Sequence, residues 1–353
     1  MTRIDLPGCQ VTIGRGIIGR AGELLPSGRY FLVTDENVER AGWAERLALP
    51  VIGRHVLPPG EASKSFARLE RLLDALIEAG VERTDFVIAL GGGMVGDLAG
   101  LAAALLKRGC GLVQLPTSLI AQADSAIGGK TAINARQGKN LIGAFHRPAA
   151  VLIDPEALGT LPERELRAGY AEVVKYGLIG DSAFFAWCEA NAAALLAGDE
   201  AARLHAIETG VRAKAAIVAE DERDTQGRRA LLNFGHTFGH AIESETGLPH
   251  GEAVAVGMAL SFRLSAELGL CPAADSKRVA AHLESAGLPV RIEGADPAAL
   301  VASMMHDKKR SGGRMRLVLA RGIGEVFVDD SVTAAEIEAF LDHDRFRLKQ
   351  PET

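Results

Sequence analysis

Residues 86–106 read FVIALGGGMVGDLAGLAAALL: five apolar residues, a run of glycines, then an Ala/Leu-rich tract long enough for three helical turns. A short apolar run that breaks on glycine and re-forms with helical composition predicts a buried strand, a tight turn and a helix. The neighbouring sequence repeats this plan. Tyr30–Thr34 (YFLVT) is a strand ending at Asp35, Phe66–Ala79 has helical apolar spacing, and LVQL (112–115) and AVLI (150–153) are further strands. Strands separated by helices predict a parallel, doubly wound sheet. Beyond about Pro155 the β-like runs stop. Residues 163–269 are rich in Ala, Leu and Glu and read as helix, with a hinge at Leu158–Pro162, a short strand near Arg314–Leu319 and a capped helix near Ala334–Leu341. The expected class is therefore α/β, with a Rossmann-like parallel-sheet domain over 1–157 followed by a mainly α-helical domain over 158–353.

The chain has 353 residues, enough for two domains. Its net charge of −6 comes from interspersed acidic and basic residues, and no Lys/Arg run is interleaved with aromatics. Nucleic acid and anionic membrane are thus poor partners. Cys9, Cys110, Cys188 and Cys271 form no CxxC pair, which argues against a disulfide framework or thiolate zinc. The N-terminus lacks an apolar secretory core, and the longest apolar run is too short to span a bilayer. A cytoplasmic protein is expected.

Three segments carry possible chemistry. Gly91–Gly96 fits GxGxxG between a strand and a helix, where glycines let backbone amides approach a pyrophosphate. No acid ends the following strand, so the motif alone reads either as a dinucleotide site or as a tight turn, with Asp97 a helix-capping carboxylate. Gly128-Gly129-Lys130-Thr131 resembles the end of a P-loop, but Asp124 stands where that loop needs glycine. Asp124, Lys130, Lys139 and Asn140 among glycines suit a phosphate or carboxylate ligand. LNFGHTFGHAIE (232–243) puts His236 and His240 four residues apart, on one helix face, with His250 close behind. Thr237 excludes HExxH. A catalytic zinc takes three protein ligands, and Glu172, Glu243 and Glu252 are candidate carboxylates beside the histidines. Gly235 and Gly239 imply close approach of a ligand or of another helix.

Taken in order, these motifs have a familiar pattern. TDENV (34–38), PGEASK (59–64), GGGMVGD (91–97), LPTS (115–118), DSAIGGKTAIN (124–134), GKNLIGAF (138–145), AEVVKYG (171–177), LNFGHTFGHAIE, HGEAVAVGM (250–258) and DKKRSGGRMRLVL (307–319) together resemble the 3-dehydroquinate synthase family of sugar-phosphate cyclases. The resemblance implies NAD held by Asp35, Asn37, Glu61, Lys64, Gly92, Gly93, Met94, Asp97, Thr117, Ser118, Lys130, Lys139, Thr160, Leu161 and Glu165. It implies zinc or cobalt on Glu172, His236 and His250. Substrate contacts would come from Asp124, Lys130, Asn140, Lys175, Lys214, Arg229 (or its neighbour Arg228), Asn233, His240 and the Lys308/Lys309 pair. The implied partner is a small sugar-acid phosphate, and the implied assembly a homodimer. Ser118 and Ala132 depart mildly from the pattern, and the loop before His250 is short. Sister cyclases, amino-dehydroquinate synthase first among them, share the fold and cofactors. A polyol dehydrogenase would release NADH, and a non-catalytic nucleotide module would not need three metal ligands.

Overall fold

A computed structural model describes residues 1–221, 227–292, 294–307 and 315–347. The chain forms two compact units. Met1–Leu166 and Gly198–Arg223 make the first, and Arg167–Ala197 with the described residues of 224–353 make the second.

In the first unit the strands are β1 (Thr2–Leu6), β2 (Cys9–Ile13), β3 (Tyr30–Asp35), β4 (Gly53–Leu57), β5 (Phe86–Gly91), β6 (Gly111–Pro116), β7 (Lys130–Ala135), β8 (Gly138–Phe145) and β9 (Ala150–Ile153). Seven of them form one sheet in the order β1-β2-β9-β6-β5-β3-β4. Every pairing in it is parallel except β1 with β2. The antiparallel edge arises from the Pro7–Gly8 turn, with Gly8 at φ +69°.

The helices of this part are α1 (Ala21–Leu24), α2 (Glu36–Arg40), α3 (Trp43–Arg46), α4 (Phe66–Glu78) and α5 (Gly93–Leu105). Period-two alternation splits each central strand between two cores. Val87 and Ala89 of β5 face Leu72 and Leu76 of α4 and Leu98 of α5, whereas Ile88 and Leu90 join Trp43, Val113 and Leu152 on the opposite side. Burial on both faces is what a doubly wound sheet requires, and it explains why these strands are apolar throughout. From β3 the chain moves outward to β4, then returns to the other side of β3 as β5 and moves on to β6. The switch point therefore lies between the C-terminal ends of β3 and β5, where such folds open a ligand crevice.

Strands β7 and β8, which the sequence analysis did not anticipate as strands, form a separate antiparallel hairpin. Gly143 makes it possible, since a Cβ there would lie 2.1 Å from the carbonyl oxygen of Thr131. The hairpin packs on α5 across Gly100, whose Cβ would meet Thr131 Cγ2 at 2.4 Å.

The chain then enters the second unit as α6 (Glu163–Gly180) and α7 (Ser182–Ala197), and returns to the first as α8 (Glu200–Glu220). The second unit is completed by α9 (His236–Thr246), α10 (His250–Glu267), α11 (Ala273–Ser285), α12 (Pro297–Asp307), the hairpin β10 (Leu317–Gly322) and β11 (Glu325–Asp329), and α13 (Ala334–Arg347). Its core gathers Phe238 and Ile242 of α9, Val256 and Leu260 of α10, Leu300 and Met304 of α12, Leu317 and Leu319 of β10, and Ile337 of α13. A capping box starts α13: Thr333 Oγ1 accepts from the Glu336 amide (3.3 Å) and Glu336 Oε2 accepts from the Thr333 amide (2.8 Å). Among the described residues no helix is long and apolar enough to cross a membrane.

Candidate active site

At the switch point of the first unit, Gly92 sits at the N-cap of α5 with no side-chain cap. The first-turn amides are therefore not occupied by a capping side chain, which leaves the helix N-terminus suited to an anion. Each glycine answers to a close neighbour. A Cβ on Gly91 would lie 2.5 Å from Val95 Cγ2, on Gly92 3.3 Å from Ser118 Oγ, on Gly93 3.1 Å from Ser125 Oγ, and on Gly96 2.7 Å from Gln114 Oε1. Gly91 and Gly96 serve the turn and the helix–strand packing, while Gly92 and Gly93 form a cradle that a side chain would fill. Those are the features a pyrophosphate needs.

Around this turn the fold collects several of the expected residues. Lys64, 5% exposed, follows the turn at Glu61–Ser63 and places Nζ 2.7 Å from Asp97 Oδ2, 3.4 Å from Glu61 Oε1 and in contact with Asn140 Oδ1. Burial pushes the Asp97 carboxyl upward and the Lys64 ammonium opposes that shift. Asp97 is thus an ion-pair partner in α5 rather than a cap. Asn140 stands in the left-handed region at φ 56°, and its amide donates to Asn134 Oδ1 (3.0 Å). Asn134 in turn donates to Glu61 Oε1 (2.8 Å), a bridge that sequence reasoning missed.

Asp35 ends β3 and caps α2, Oδ1 accepting from the amides of Asn37 (2.8 Å) and Val38 (3.1 Å). Thr117 and Ser118 are buried just beyond β6, and Met94 is half-buried in the first turn of α5. Thr160 accepts from the Trp43 indole (2.8 Å); Leu161 is half-buried, and Glu165 is exposed. Lys214 of α8 forms an ion pair with the Asp124 carboxylate and donates to its backbone carbonyl (3.0 Å), within a π-helical turn at Ala121–Ser125. Lys130 at the start of β7 and Lys139 on β8 are exposed.

In the second unit Glu172 (α6), His236 (first residue of α9) and His250 (first residue of α10) converge, with one ligand atom from each lying within 4.8 Å of the others. His236 Nδ1 faces the Phe234 carbonyl (3.1 Å) and His250 Nδ1 faces Glu243 Oε2 (3.1 Å), which turns both Nε2 atoms inward. They stand 3.4 and 3.5 Å from Glu172 Oε1. Two ligand atoms about 2.0–2.1 Å from a tetrahedral zinc are about 3.3–3.4 Å apart, so this spacing suits a metal better than a direct hydrogen bond. Glu172 is fully buried, and among the described residues neither of its carboxylate oxygens has an aligned hydrogen-bond donor. A buried anion in that state fits a cation.

Lys175, one helical turn on, lies 2.5 Å from Glu172 Oε2. Burial alone would raise the Glu172 carboxyl, but Lys175 and the two imidazoles hold it well below the usual range. Burial pulls His236 down to about 3, the neutral donor form. Burial also disfavours charge on His250, but the neighbouring Glu172 and Glu243 carboxylates raise it to about 9.

Glu243, a candidate ligand on sequence grounds, thus stands behind His250 instead. The exposed amide of Asn233 ends the turn Arg228–Asn233, in which Arg229 is buried. The ring centre of His240 is 5.4 Å from that of His236 and 5.9 Å from that of His250, but His240 is not in the converging set. Lys308 and Lys309 lie outside the described residues.

The glycines of LNFGHTFGHAIE answer to a helix. A Cβ on Gly239 would lie 3.1 Å from Val254 Cα, and one on Gly257 only 1.9 Å from the Gly235 carbonyl oxygen. Backbone-to-backbone packing of α9 on α10 sets His236 beside His250.

Sequence models described as 3-dehydroquinate synthase N-terminal and C-terminal match residues 54–168 and 169–310. The 3-dehydroquinate synthase of Zymomonas mobilis subsp. mobilis is 54% identical over 350 residues, covering 94% of this chain and 92% of that protein. Among solved structures, 2-epi-5-epi-valiolone synthase from Streptomyces hygroscopicus subsp. jinggangensis with NAD+ and Zn2+ bound superposes with a TM-score of 0.88 at 32% identity, covering 98% of each chain. A 2-deoxy-scyllo-inosose synthase complexed with carbaglucose-6-phosphate, NAD+ and Co2+ gives 0.82 at 26%, covering 97% of this chain and 100% of that one.

Proposed function

The chain belongs to the 3-dehydroquinate synthase family, and from that premise we propose how its residues share the work of a phosphate-eliminating cyclase of the shikimate pathway. The reaction converts 3-deoxy-D-arabino-heptulosonate 7-phosphate into 3-dehydroquinate and phosphate. The observation that carries the reading is the buried Glu172 carboxylate facing two inward-turned imidazoles. Its donor set suits zinc or cobalt held by Glu172, His236 and His250. NAD is assigned to the switch point of the first unit, on the Gly92–Gly93 cradle. Asp35, Asn37, Glu61, Lys64, Met94, Asp97, Thr117, Ser118, Lys130, Lys139, Thr160, Leu161 and Glu165 complete that assignment.

When bound, NAD supplies a reversible hydride acceptor and the divalent metal supplies Lewis acidity toward vicinal hydroxyls. Oxidation of one carbinol acidifies the adjacent C–H, so phosphate can leave by β-elimination. The departing phosphate itself is the base, and the chain's task is to orient it. Lys130, Lys214 and Arg229 offer charge-assisted donors, with Asn233 and His240 adding neutral ones. Lys175 stabilises the anionic form of Glu172, and Asp124, held by Lys214, and Asn140 orient substrate hydroxyls. Return of the hydride, ring opening and an intramolecular aldol then close the carbocycle. Lys308 is assigned to the substrate as well. Operation as a cytoplasmic homodimer belongs to the same proposal.

Phosphate release from the heptulosonate phosphate tests this, with expected dependence on NAD, loss on chelation, and no net NADH. Accumulating NADH would instead identify a dehydrogenase. Silence with that substrate but turnover of sedoheptulose 7-phosphate would identify a sister cyclase, the reading that the 0.88 superposition on valiolone synthase keeps in view.

Glu243 has a supporting part in this reading, because its carboxylate fixes the Nδ1 side of His250. Glu243→Ala is expected to weaken metal binding about tenfold, as loss of such outer partners does. Competition against a chromogenic chelator measures it, and an unchanged metal Kd would remove Glu243 from the site.

A further inference from the structure

Within the first unit, Gln122 is fully buried in the π-helical turn Ala121–Ser125. Its Nε2 donates to two carbonyls from distant segments: Pro116 at the end of β6 (3.0 Å) and Asp154 just after β9 (2.8 Å). A rotated amide would set Oε1 against both carbonyls, so the partners fix its orientation. Held that way, Oε1 is buried without a hydrogen-bond partner among the described residues. The two bonds gained and the penalty of one unmatched buried acceptor are of the same order and offset each other. Stability therefore gives little reason for a glutamine here, and a rare π turn adds none.

Position gives a better one. Three segments diverge from this amide. Beyond Pro116 come Thr117 and Ser118. The π turn itself carries Asp124 and Ser125, the latter against Gly93. Beyond Asp154 the turn Pro155–Thr160 leads to Thr160 and Leu161. The carboxylate of Asp154 secures that third segment further by accepting from the amides of Glu156 (3.1 Å), Gly16 (3.1 Å) and Ile18 (3.3 Å).

We propose that Gln122 is a positioning residue for NAD, fixing the relative placement of the Thr117–Ser118, Asp124–Ser125 and Thr160–Leu161 segments. It touches no cofactor in this role; it sets the order of the backbone that does. The inference rests on the assignment of NAD to the first and third of these segments; the second bears on it through Ser125, which stands against Gly93 of the cradle.

Trp43 provides the readout, because its indole donates to Thr160 and the chain has only one other tryptophan, Trp187. In the full chain carrying Trp187→Phe, NAD is titrated against Trp43 emission. Gln122→Met is expected to raise the NAD Kd about tenfold, the equivalent of one or two hydrogen bonds of order moved from folding to binding. It should also shift the emission of the NAD-free protein. Gln122→Glu, isosteric but without the donor pair, should raise Kd in the same direction, and serves if the methionine variant fails to fold. Leu72→Ala, a cavity in the α4 core, which contains none of the three segments, is the control: it should lower the melting temperature while holding the NAD Kd within twofold.

A Gln122 variant that melts early yet binds NAD within twofold of its parent overturns the proposal, leaving the amide a purely structural group. If the parent itself does not respond to NAD, while phosphate release still requires it, the assignment of NAD to Thr160 fails and takes the inference with it.

Discussion

Purified His236→Ala should contain little metal and turn over at least about a thousandfold more slowly, whereas His240→Ala should retain metal and lose only part of its rate. Under the proposed roles the first variant takes one ligand from three and leaves the buried Glu172 carboxylate facing a single imidazole. Structural zinc sites bind with about 10–16 kcal/mol over four ligands, so one ligand is equivalent to roughly 2.5–4 kcal/mol, or about a hundred- to a thousandfold in affinity. The Lewis acid's share of transition-state stabilisation is several kcal/mol, which sets the rate loss at about a thousandfold or more. His240 lies on the same helix but outside the converging set, so its replacement should act on turnover. Metal analysis after gel filtration separates the two, and equal metal loss would collapse the distinction. NAD binding to the first unit should survive both changes.

Gly257→Ala should destabilise the second unit by about 3 kcal/mol or more, at or beyond the upper end of ordinary overpacking. The added methyl would lie 1.9 Å from the Gly235 carbonyl oxygen and 2.9 Å from the Gly239 amide nitrogen, and both are backbone atoms that cannot rotate away. Helix α9 would have to lift off α10. At about 2–4 °C per kcal/mol for a unit of this size, the melting temperature should fall by roughly 6–12 °C. Gly235 precedes His236, so metal affinity should fall as well. Gly180→Ala is the contrast, because a Cβ there meets nothing within 4 Å and the variant should melt at or slightly above the parent temperature. A Gly257→Ala protein that melts with the parent would show that the helices are not held by this contact.

The sequence revealed most where one local rule governed the outcome. The apolar FVIAL, breaking on glycine, reads as a buried strand and is one, and the capped helix expected near Ala334–Leu341 is α13. Two hairpins escaped notice entirely, and of a third only the first strand, β10, was read. The Pro7–Gly8 dipeptide between the runs TRIDL and CQVTI is a turn signal that could have revealed β1–β2. In β7–β8 the Lys, Arg and Asn residues hid an alternating pattern around Ile133 and Ile142, and the need for glycine at 143 is set by a cross-strand carbonyl.

The candidate metal set was only half legible. HTFGH placed two histidines on one face, yet which of them joins Glu172 depends on helix packing far along the chain. Gly235 and Gly239 pointed to a close approach, and the partner proved to be helix α10. Gln122 carried no signal at all, because a buried amide bridging two strand ends looks like any polar residue in a loop.

Helix α8 belongs to the first unit although α6 and α7 precede it in the second. During synthesis this ordering imposes a wait. Lys214, which holds Asp124, leaves the ribosome only after Glu172 has been made, and the first unit is complete only at residue 223, 57 residues after Leu166 (223 − 166). At about 5–20 residues per second that interval is roughly 3–11 s. The nascent chain must meanwhile hold an unfinished sheet domain and two helices whose own partners do not yet exist. Apolar surface left open over that interval is the kind that invites aggregation and chaperone binding.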